Sequence, residues 1–256
     1  MLDLPASVVV ERLTAAGCVA AADEAAEMLE RASDTATLEE WIQRRTRGEP
    51  LAIITGSITF CGHDVLVDPG LFVPRLQSEE LARRAADALP VSGRAADLCA
   101  GAGSIAVHLR RTVPGARVIG VDLDIRAARC ARRNGIPCVV GDLDEPLVAG
   151  AFDVVTAVAP YVPTNLLDTL PADVLRYEPQ RALDGGLDGL DVVRRVVRGA
   201  ARLLKPHGLL FTEVGADQPS ILEPVFASSG FIDVEVWHDQ EGDARGMAAR
   251  RSVRTP

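Results

Sequence analysis

The part of the chain after Leu81 alternates between short apolar segments and amphipathic segments, and this alternation constrains the fold more than any other feature. The apolar segments are hydrophobic throughout rather than at every second residue, which is typical of strands buried on both faces of a sheet. Such strands, separated by helices, form a mostly parallel sheet covered on both sides. We therefore predict an α/β, Rossmann-like fold with strands at 95–99, 116–122, 137–142, 152–158 and 208–214.

Two further predicted strands, 231–239 and 244–252, follow one another with no helix between them. A short connection of this kind joins antiparallel strands, so we expect an antiparallel hairpin at the edge of the sheet.

The N-terminal part of the chain differs in pattern from the rest. Residues 1–50 have helical spacing of apolar residues, with a capping signal at Asp34, and predict a small helical bundle. Residues 51–73 are rich in β-branched residues interrupted by glycines, which predicts a β-hairpin linker to a main domain at 74–256. The bundle is expected to act either as a lid or as a recognition element for a macromolecular substrate.

Charge and composition narrow the classes of partner. The formal charge of −9 leaves no global basic field, so no direct contact with nucleic acid is expected. No apolar run approaches the roughly 18 residues of a membrane span, and no basic leader precedes one. The five cysteines are scattered without a CxxC pair, which favours reduced thiols over a metal site. We expect a cytoplasmic monomer with no membrane partner and no metal.

The segment "AADLCAGAGSIAVHLRR" predicts a ligand-binding turn. Asp97 lies at the end of the first sheet strand, and Gly101 and Gly103 occupy a tight turn before a helix that begins near Ser104. Glycines let backbone N–H groups approach a ligand, and the helix N-terminus favours a negative group. A structural strand–turn–helix connection is the alternative for this turn considered alone.

Carboxylates at the next two strand ends favour a nucleoside ligand. Asp122 follows the first glycine by about twenty residues, where a carboxylate can accept both ribose hydroxyls. Asp142 ends the third strand, where its carboxylate can accept from an adenine amino group. Because parallel strands end at one edge of a sheet, the three carboxylates are expected to form one site.

Asp97 indicates which nucleoside would bind. A pyrophosphate is disfavoured beside a carboxylate, whereas a ligand carrying an ammonium and a sulfonium is favoured. S-adenosylmethionine carries both cations, and the pattern resembles the class I methyltransferase signature, with a nicotinamide oxidoreductase as the alternative. We expect Asp97, Ala100, Gly101 and Gly103 to hold the methionine end of the cofactor.

Motifs along nearly the whole chain resemble those of the protein-(glutamine-N5) methyltransferase family, which modifies the GGQ glutamine of peptide-chain release factors. The resemblance implies a methyltransferase domain over residues 74–256 and a protein substrate such as a release factor. The motifs are a PR-x-x-[ST]-E segment at Pro74, Arg75, Ser78 and Glu79, then Glu178–Pro179, Ala182–Leu183, Gly185 through Asp191, and the terminal "DQEGDARGMAAR". Arg75 is expected to border the acceptor pocket, although its segment also fits an ordinary helix start.

The family carries N-P-P-Y after the fourth strand, and this sequence has Val158-Ala159-Pro160-Tyr161 there. An amide nitrogen attacks poorly because its lone pair is delocalised, so the asparagine oxygen and a proline carbonyl accept its N–H groups while the tyrosine packs on its plane. The resemblance implies catalytic roles for Ala159, Pro160 and Tyr161. It places Val158 against both the cofactor and the acceptor.

Because the asparagine is missing, the sequence does not identify the methyl acceptor. The chain would methylate a protein amide through backbone carbonyls alone, methylate a different acceptor such as a small molecule, or bind the cofactor without turnover. Losing one preorganised hydrogen-bond partner typically costs on the order of 10² to 10³ in rate.

Overall fold

The computed structural model describes residues 3–215 and 217–253. The chain begins with three helices, α1 (Ala6–Ala15), α2 (Ala21–Arg31) and α3 (Thr35–Thr46), which enclose a small apolar core of their own. The Asp34 carboxylate accepts a hydrogen bond from the backbone N–H of Thr37 at 2.8 Å, so the expected capping signal does begin α3. Residues fully buried between these helices are Val9, Leu13, Met28, Leu38 and Ile42.

The predicted linker contains the hairpin and also a helix. Helix α4 (Leu51–Thr55) precedes a hairpin of β1 (Ser57–Phe60) and β2 (His63–Leu66). The β-branched residues of α4 do not form a strand, because Ile53 and Ile54 are buried by packing and Gly56, with a φ of 81°, ends the helix. The limits of the three predicted domains stay a prediction.

A seven-stranded sheet forms the centre of the molecule, as predicted. From one edge to the other, the order is β5-β4-β3-β6-β7-β9-β8. The first five strands in this order are parallel, and β9 is antiparallel to both β7 and β8. The strands are β3 (Arg94–Leu98), β4 (Arg117–Asp122), β5 (Cys138–Val140), β6 (Phe152–Ala157), β7 (Leu204–Glu213), β8 (Phe231–His238) and β9 (Ala244–Arg251).

Helices cover both faces of the sheet and create two apolar cores. One face packs against the hairpin and three helices, which are α5 (Glu79–Ala88), α6 (Ser104–Thr112) and α7 (Ile125–Arg133). The other face packs against α9 (Asp191–Leu203) and α10 (Pro219–Ser228), while α8 (Ala172–Tyr177) lies in the connection after β6. Within 3–215 and 217–253, no helix is both long and apolar enough to cross a membrane.

This topology places the binding crevice. The chain runs outward from β3 to β4 and β5 on one side and continues through β6 and β7 on the other, so the strand order reverses between β3 and β6. Ligands of open parallel sheets bind beyond the carboxyl ends of the strands at such a reversal. The residues that follow β3 and β6 are the glycine turn and the 158–161 segment.

Candidate functional site

The turn after β3 adopts the conformation that its glycines were expected to allow. Gly101 and Gly103 have φ values of 56° and 83°, and α6 begins at Ser104. A Cβ at Gly101 would meet no protein atom within 4 Å, whereas a Cβ at Gly103 would lie 3.1 Å from the Cβ of Ala131. Gly103 therefore lets α6 pack against α7, and Gly101 leaves open space for a ligand to approach the backbone.

Cys99 is the unexpected member of this turn. It has a φ of 55°, a left-handed conformation that non-glycine residues adopt rarely and at a cost of about 1 kcal/mol or more. Burial and the neighbouring carboxylates raise the pKa of its thiol, so the side chain is a neutral wall of the crevice. Backbone strain of this kind is characteristic of functional loops.

Asp97 is almost completely buried at the end of β3. Only 2% of the residue is exposed, and its Oδ1 accepts a hydrogen bond from Oγ1 of Thr156 at 2.8 Å. Burial raises the pKa of the carboxyl to about 7, with the Thr156 hydrogen bond acting in the opposite direction. A cation placed beside this group would favour its ionised form.

Asp122 links the end of β4 to the glycine turn. Its Oδ2 accepts from the backbone N–H of Gly101 at 2.8 Å, and its Oδ1 accepts from that of Asp124 at 2.8 Å. Burial raises its pKa, while the two backbone bonds lower it. Since a carboxylate has about four lone-pair sites, each oxygen can also accept a hydroxyl group.

Asp142, at the end of the third strand, forms an ion pair with Arg195 of α9 at 2.8 Å. The hydrogen bond that the Arg195 guanidinium donates to Asp142 raises the pKa of Arg195 and holds the carboxylate at the wall of the crevice.

Two cavities at the carboxyl ends of β3, β4 and β6 bring most of the predicted residues together. The larger, of about 180 Å³, contains Gly101, Asp122, Asp142, Val158 and Pro160 in its wall. The smaller has Arg75, Asp97, Ala100, Gly101 and Val158 in its wall. Gly101 and Val158 belong to both, so the two form one continuous site. Gly103, Ala159 and Tyr161 line neither and lie behind or beside it.

The 158–161 segment is fixed by contacts distant in sequence. The amide nitrogen of Gln218 donates to the carbonyl of Tyr161 at 2.8 Å, and the backbone N–H of Gly215 donates to the Gln218 oxygen at 2.7 Å. Gly189, with a φ of 75°, approaches so closely that a Cβ there would lie 2.3 Å from the Tyr161 carbonyl oxygen. The predicted acceptor segment is therefore rigid.

Tyr161 is oriented through its hydroxyl group. Nε2 of Gln77 donates to that oxygen at 3.0 Å, and burial together with nearby Glu213 raises the pKa of the phenol to about 12. The ring is consequently neutral near pH 7, and its position relative to the cavity is set by the segment before α5.

Arg75 lies in the wall of the smaller cavity. Its guanidinium contacts the buried Glu178 carboxylate at 2.6 Å and lies 4.8 Å from the centre of the Phe72 ring. The cavity position supports a role for Arg75 at the acceptor pocket. The alternative, an ordinary helix start, is also supported, because a short 3₁₀ helix, Leu76–Ser78, leads directly into α5. Ser78 makes no side-chain cap on that helix.

Several residues of the site were not predicted from sequence. Phe72, Cys99, Arg181 and Arg195 line the larger cavity, Gln218 holds Tyr161, and Glu213 lies buried beside Tyr161. Cys99 belongs to the glycine-turn segment and Arg181 lies between the Glu178–Pro179 and Ala182–Leu183 motifs, so their neighbourhood was a usable signal. Glu213 is the last residue of a buried strand and Gln218 follows that strand, and neither carries a local signal of its role.

Comparisons with known proteins agree with this geometry. Residues 96–168, from β3 to just beyond Tyr161, match a family model described as a methyltransferase domain. A release factor glutamine methyltransferase from Geobacter sulfurreducens is 36% identical over 215 residues, covering 82% of this chain and 76% of that protein. A 4-amino-L-phenylalanine/4-methylamino-L-phenylalanine methyltransferase from Streptomyces pristinaespiralis is 40% identical, covering 74% and 69%.

The solved structures support the fold. The crystal structure of a methyltransferase from Pyrococcus furiosus superposes with a TM-score of 0.57 at 16% identity, covering 75% of this chain and 91% of that one. On the sheet order, the site and these relatives, the chain belongs to the protein-(glutamine-N5) methyltransferase family and is a class I, S-adenosylmethionine-dependent methyltransferase.

Proposed function

We propose that this enzyme methylates the side-chain amide nitrogen of a glutamine in a peptide-chain release factor. The observation that carries the proposal is that Val158 and Pro160 of the predicted acceptor segment line the same cavity as Asp122 and Gly101. The 36% identical relative is named a release factor glutamine methyltransferase, which supports a release-factor glutamine as the methyl acceptor. The reaction belongs to residues 74–256, and the enzyme acts as a cytoplasmic monomer without direct contact to nucleic acid.

The residues of the crevice fit S-adenosylmethionine. Asp97, Ala100, Gly101 and Gly103 would hold its methionine end, Asp122 its ribose and Asp142 its adenine. Two features support this fit: the open space above Gly101, and the buried carboxylate of Asp97 beside the smaller cavity, which a cationic ligand would compensate. When bound, this cofactor supplies an electrophilic methyl group on a sulfonium.

The acceptor is held by the backbone and ring of the 158–161 segment. The carbonyl of Ala159 would accept an N–H of the glutamine amide, and the Tyr161 ring would pack against the plane of that amide. Fixing the nitrogen in this way supplies proximity and orientation, which is the main contribution such an enzyme can make for a weak nucleophile. The hydrogen bonds from Gln77 and Gln218 keep this surface in place.

Val158 makes this acceptor surface incomplete relative to the family motif. An asparagine at 158 would add a preorganised amide oxygen, and one such group is worth on the order of 10² to 10³ in rate. Backbone carbonyls must therefore accept the N–H groups of the glutamine amide alone, or another side chain must supply the missing hydrogen-bond acceptor.

The proposal is tested by transfer of a radiolabelled methyl group to purified release factor and, as the contrasting acceptor, to 4-amino-L-phenylalanine. Wild type is compared with Val158→Asn and with Val148→Asn, a matched change at a valine that is 73% exposed. We expect release factor to be the preferred acceptor, a faster reaction for Val158→Asn, and no change for Val148→Asn. Label on the small amine alone in the wild type would contradict the proposal.

A further inference from the structure

Glu213, the last residue of β7, is a buried acid without a hydrogen-bond partner. It is 3% exposed, and among the described residues its two carboxylate oxygens are the buried side-chain atoms that lack any partner. Buried polar groups are nearly always satisfied, so an orphaned carboxylate needs a physical explanation. A donor that arrives with a substrate is one such explanation.

Glu213 lies near the segment that lacks the asparagine, since it helps to raise the pKa of Tyr161. In the parallel pair of β6 and β7, Ala157 lies opposite Thr212. Val158 follows Ala157 directly, as Glu213 follows Thr212, so a continuation of this register beyond the end of β6 would bring the two side chains to the same face of the sheet. The apolar Val158 offers this carboxylate nothing to bond with.

The surroundings of Glu213 are those of the acceptor segment. Ser78, Gln77 and Tyr161 lower the pKa of its carboxyl against the larger effect of burial, yet none of them reaches hydrogen-bond geometry with it. The opposing charge that acts on the Glu213 carboxyl, Arg245 of β9, forms an ion pair with Asp239 at 2.6 Å. Among residues 3–215 and 217–253, none of the ion pairs includes Glu213, although Arg245 lowers its pKa.

Trp237 of β8 lies on the same face of the sheet as Glu213, across Gly246 of β9. Gly246 lies opposite both Glu213 and Trp237, and a Cβ at Gly246 would fall 1.9 Å from the Trp237 ring. The indole thus fills the space over Gly246, on the face from which Glu213 projects. Of the polar side chains that act on the carboxyl, Tyr161 belongs to the acceptor segment.

We propose that Glu213 accepts a hydrogen bond from the N–H of the methyl acceptor and takes the place of the amide oxygen that Val158 lacks. This inference rests on the proposed function, because it assumes that the acceptor nitrogen lies at the 158–161 segment. An acceptor nitrogen bearing two hydrogens can donate one to the Ala159 carbonyl and the other to Glu213. An acceptor without that second hydrogen leaves the carboxylate orphaned and is disfavoured.

Glu213→Met separates this role from a structural one, because it keeps the length of the side chain and removes both oxygens. Removing an orphaned buried acid should raise the melting temperature. The same variant should lower kcat/KM for release factor on the order of 10²-fold, as for a lost preorganised partner. Calorimetric affinity for S-adenosylhomocysteine should stay unchanged, while binding of release factor to that complex weakens. Glu223→Met, on the exposed face of α10, is the matched control and should change none of these quantities.

Rescue by Val158→Asn provides the sharper test. In the Val158→Asn background the asparagine supplies an acceptor oxygen, so Glu213→Met should cost much less there than in the wild-type background. If Glu213→Met does not fold, Glu213→Gln, which keeps one acceptor oxygen, should show an intermediate loss and the same rescue.

The outcomes distinguish this inference from the function on which it rests. Wild-type activity on release factor together with an equally active Glu213→Met or Glu213→Gln would overturn the role of Glu213 alone. An equal loss in both backgrounds would assign Glu213 to folding and also overturn it. Absence of transfer to release factor by the wild type would remove the proposed function, and this inference with it.

Discussion

Replacing Gln218 with alanine should both loosen the 158–161 segment and destabilise the protein. The side chain makes two short hydrogen bonds, with Tyr161 and Gly215, and a longer one of 3.4 Å to the carbonyl of Asp188. At about 1 kcal/mol for each neutral bond, and with buried groups left unpaired, the free energy of unfolding should fall by about 2–3 kcal/mol. For a chain of this size, that corresponds to a melting temperature lower by roughly 5–10 °C.

The assay combines calorimetric melting with methyl-transfer kinetics. A displacement of the segment on the order of 1 Å would lower kcat/KM for release factor by up to ~10²-fold, while cofactor affinity changes little because Gln218 lines neither cavity. Gln43→Ala, on the exposed side of α3, is the control. If Gln218→Ala melts and reacts like Gln43→Ala, the segment is not held by this side chain, and the reasoning is refuted.

Two further outcomes concern the cofactor site. The carboxyl of Asp97, with its pKa raised to about 7, is largely neutral below that pH and ionised above it, so calorimetric affinity for S-adenosylmethionine should rise as pH increases through 7. Asp97→Asn should bind S-adenosylmethionine more weakly at pH 8 and lose this pH dependence. An unchanged pH profile would show that Asp97 does not interact with the cationic end of the cofactor. Asp122→Ala removes the expected ribose ligand and the bond from the Gly101 N–H, so affinity should fall at least about tenfold, the equivalent of 1.4 kcal/mol. Asp64→Ala, a change at an exposed acid of the hairpin, should bind like the wild type.

The sheet was predictable because its parallel strands contain short apolar runs separated by helical segments, and because no helix separates the last two strands. The five parallel strands and the terminal hairpin lie where the sequence places them, with small differences at their ends. The longest discrepancy is β7, which begins at Leu204 rather than at residue 208. Lys205 and Pro206 give those first residues the sequence pattern of a loop, but the pairing of Leu204 with Phe152 places them in the sheet.

The clustering of the strand-end carboxylates was also predictable, because strand ends of a parallel sheet meet at one edge. Asp122, Asp142 and Gly101 do line one cavity. The sequence alone does not show how deeply a side chain is buried or which residue distant in sequence it contacts. Gln218 reaches Tyr161 across 57 residues of sequence, and the orphaned state of Glu213 depends on three strands at once. Side-chain partners of that kind are decided by tertiary packing rather than by local pattern.

The central claim is that the methyl group reaches a glutamine amide held at Ala159, Pro160 and Tyr161. Its most direct test is tandem mass spectrometry of release factor after incubation with the wild-type enzyme and S-adenosylmethionine, with Tyr161→Ala as the impaired comparison. We expect a single added methyl group on the side-chain amide of the GGQ glutamine, formed more slowly by Tyr161→Ala. An unmodified glutamine, or a methyl group located on another residue, would contradict it.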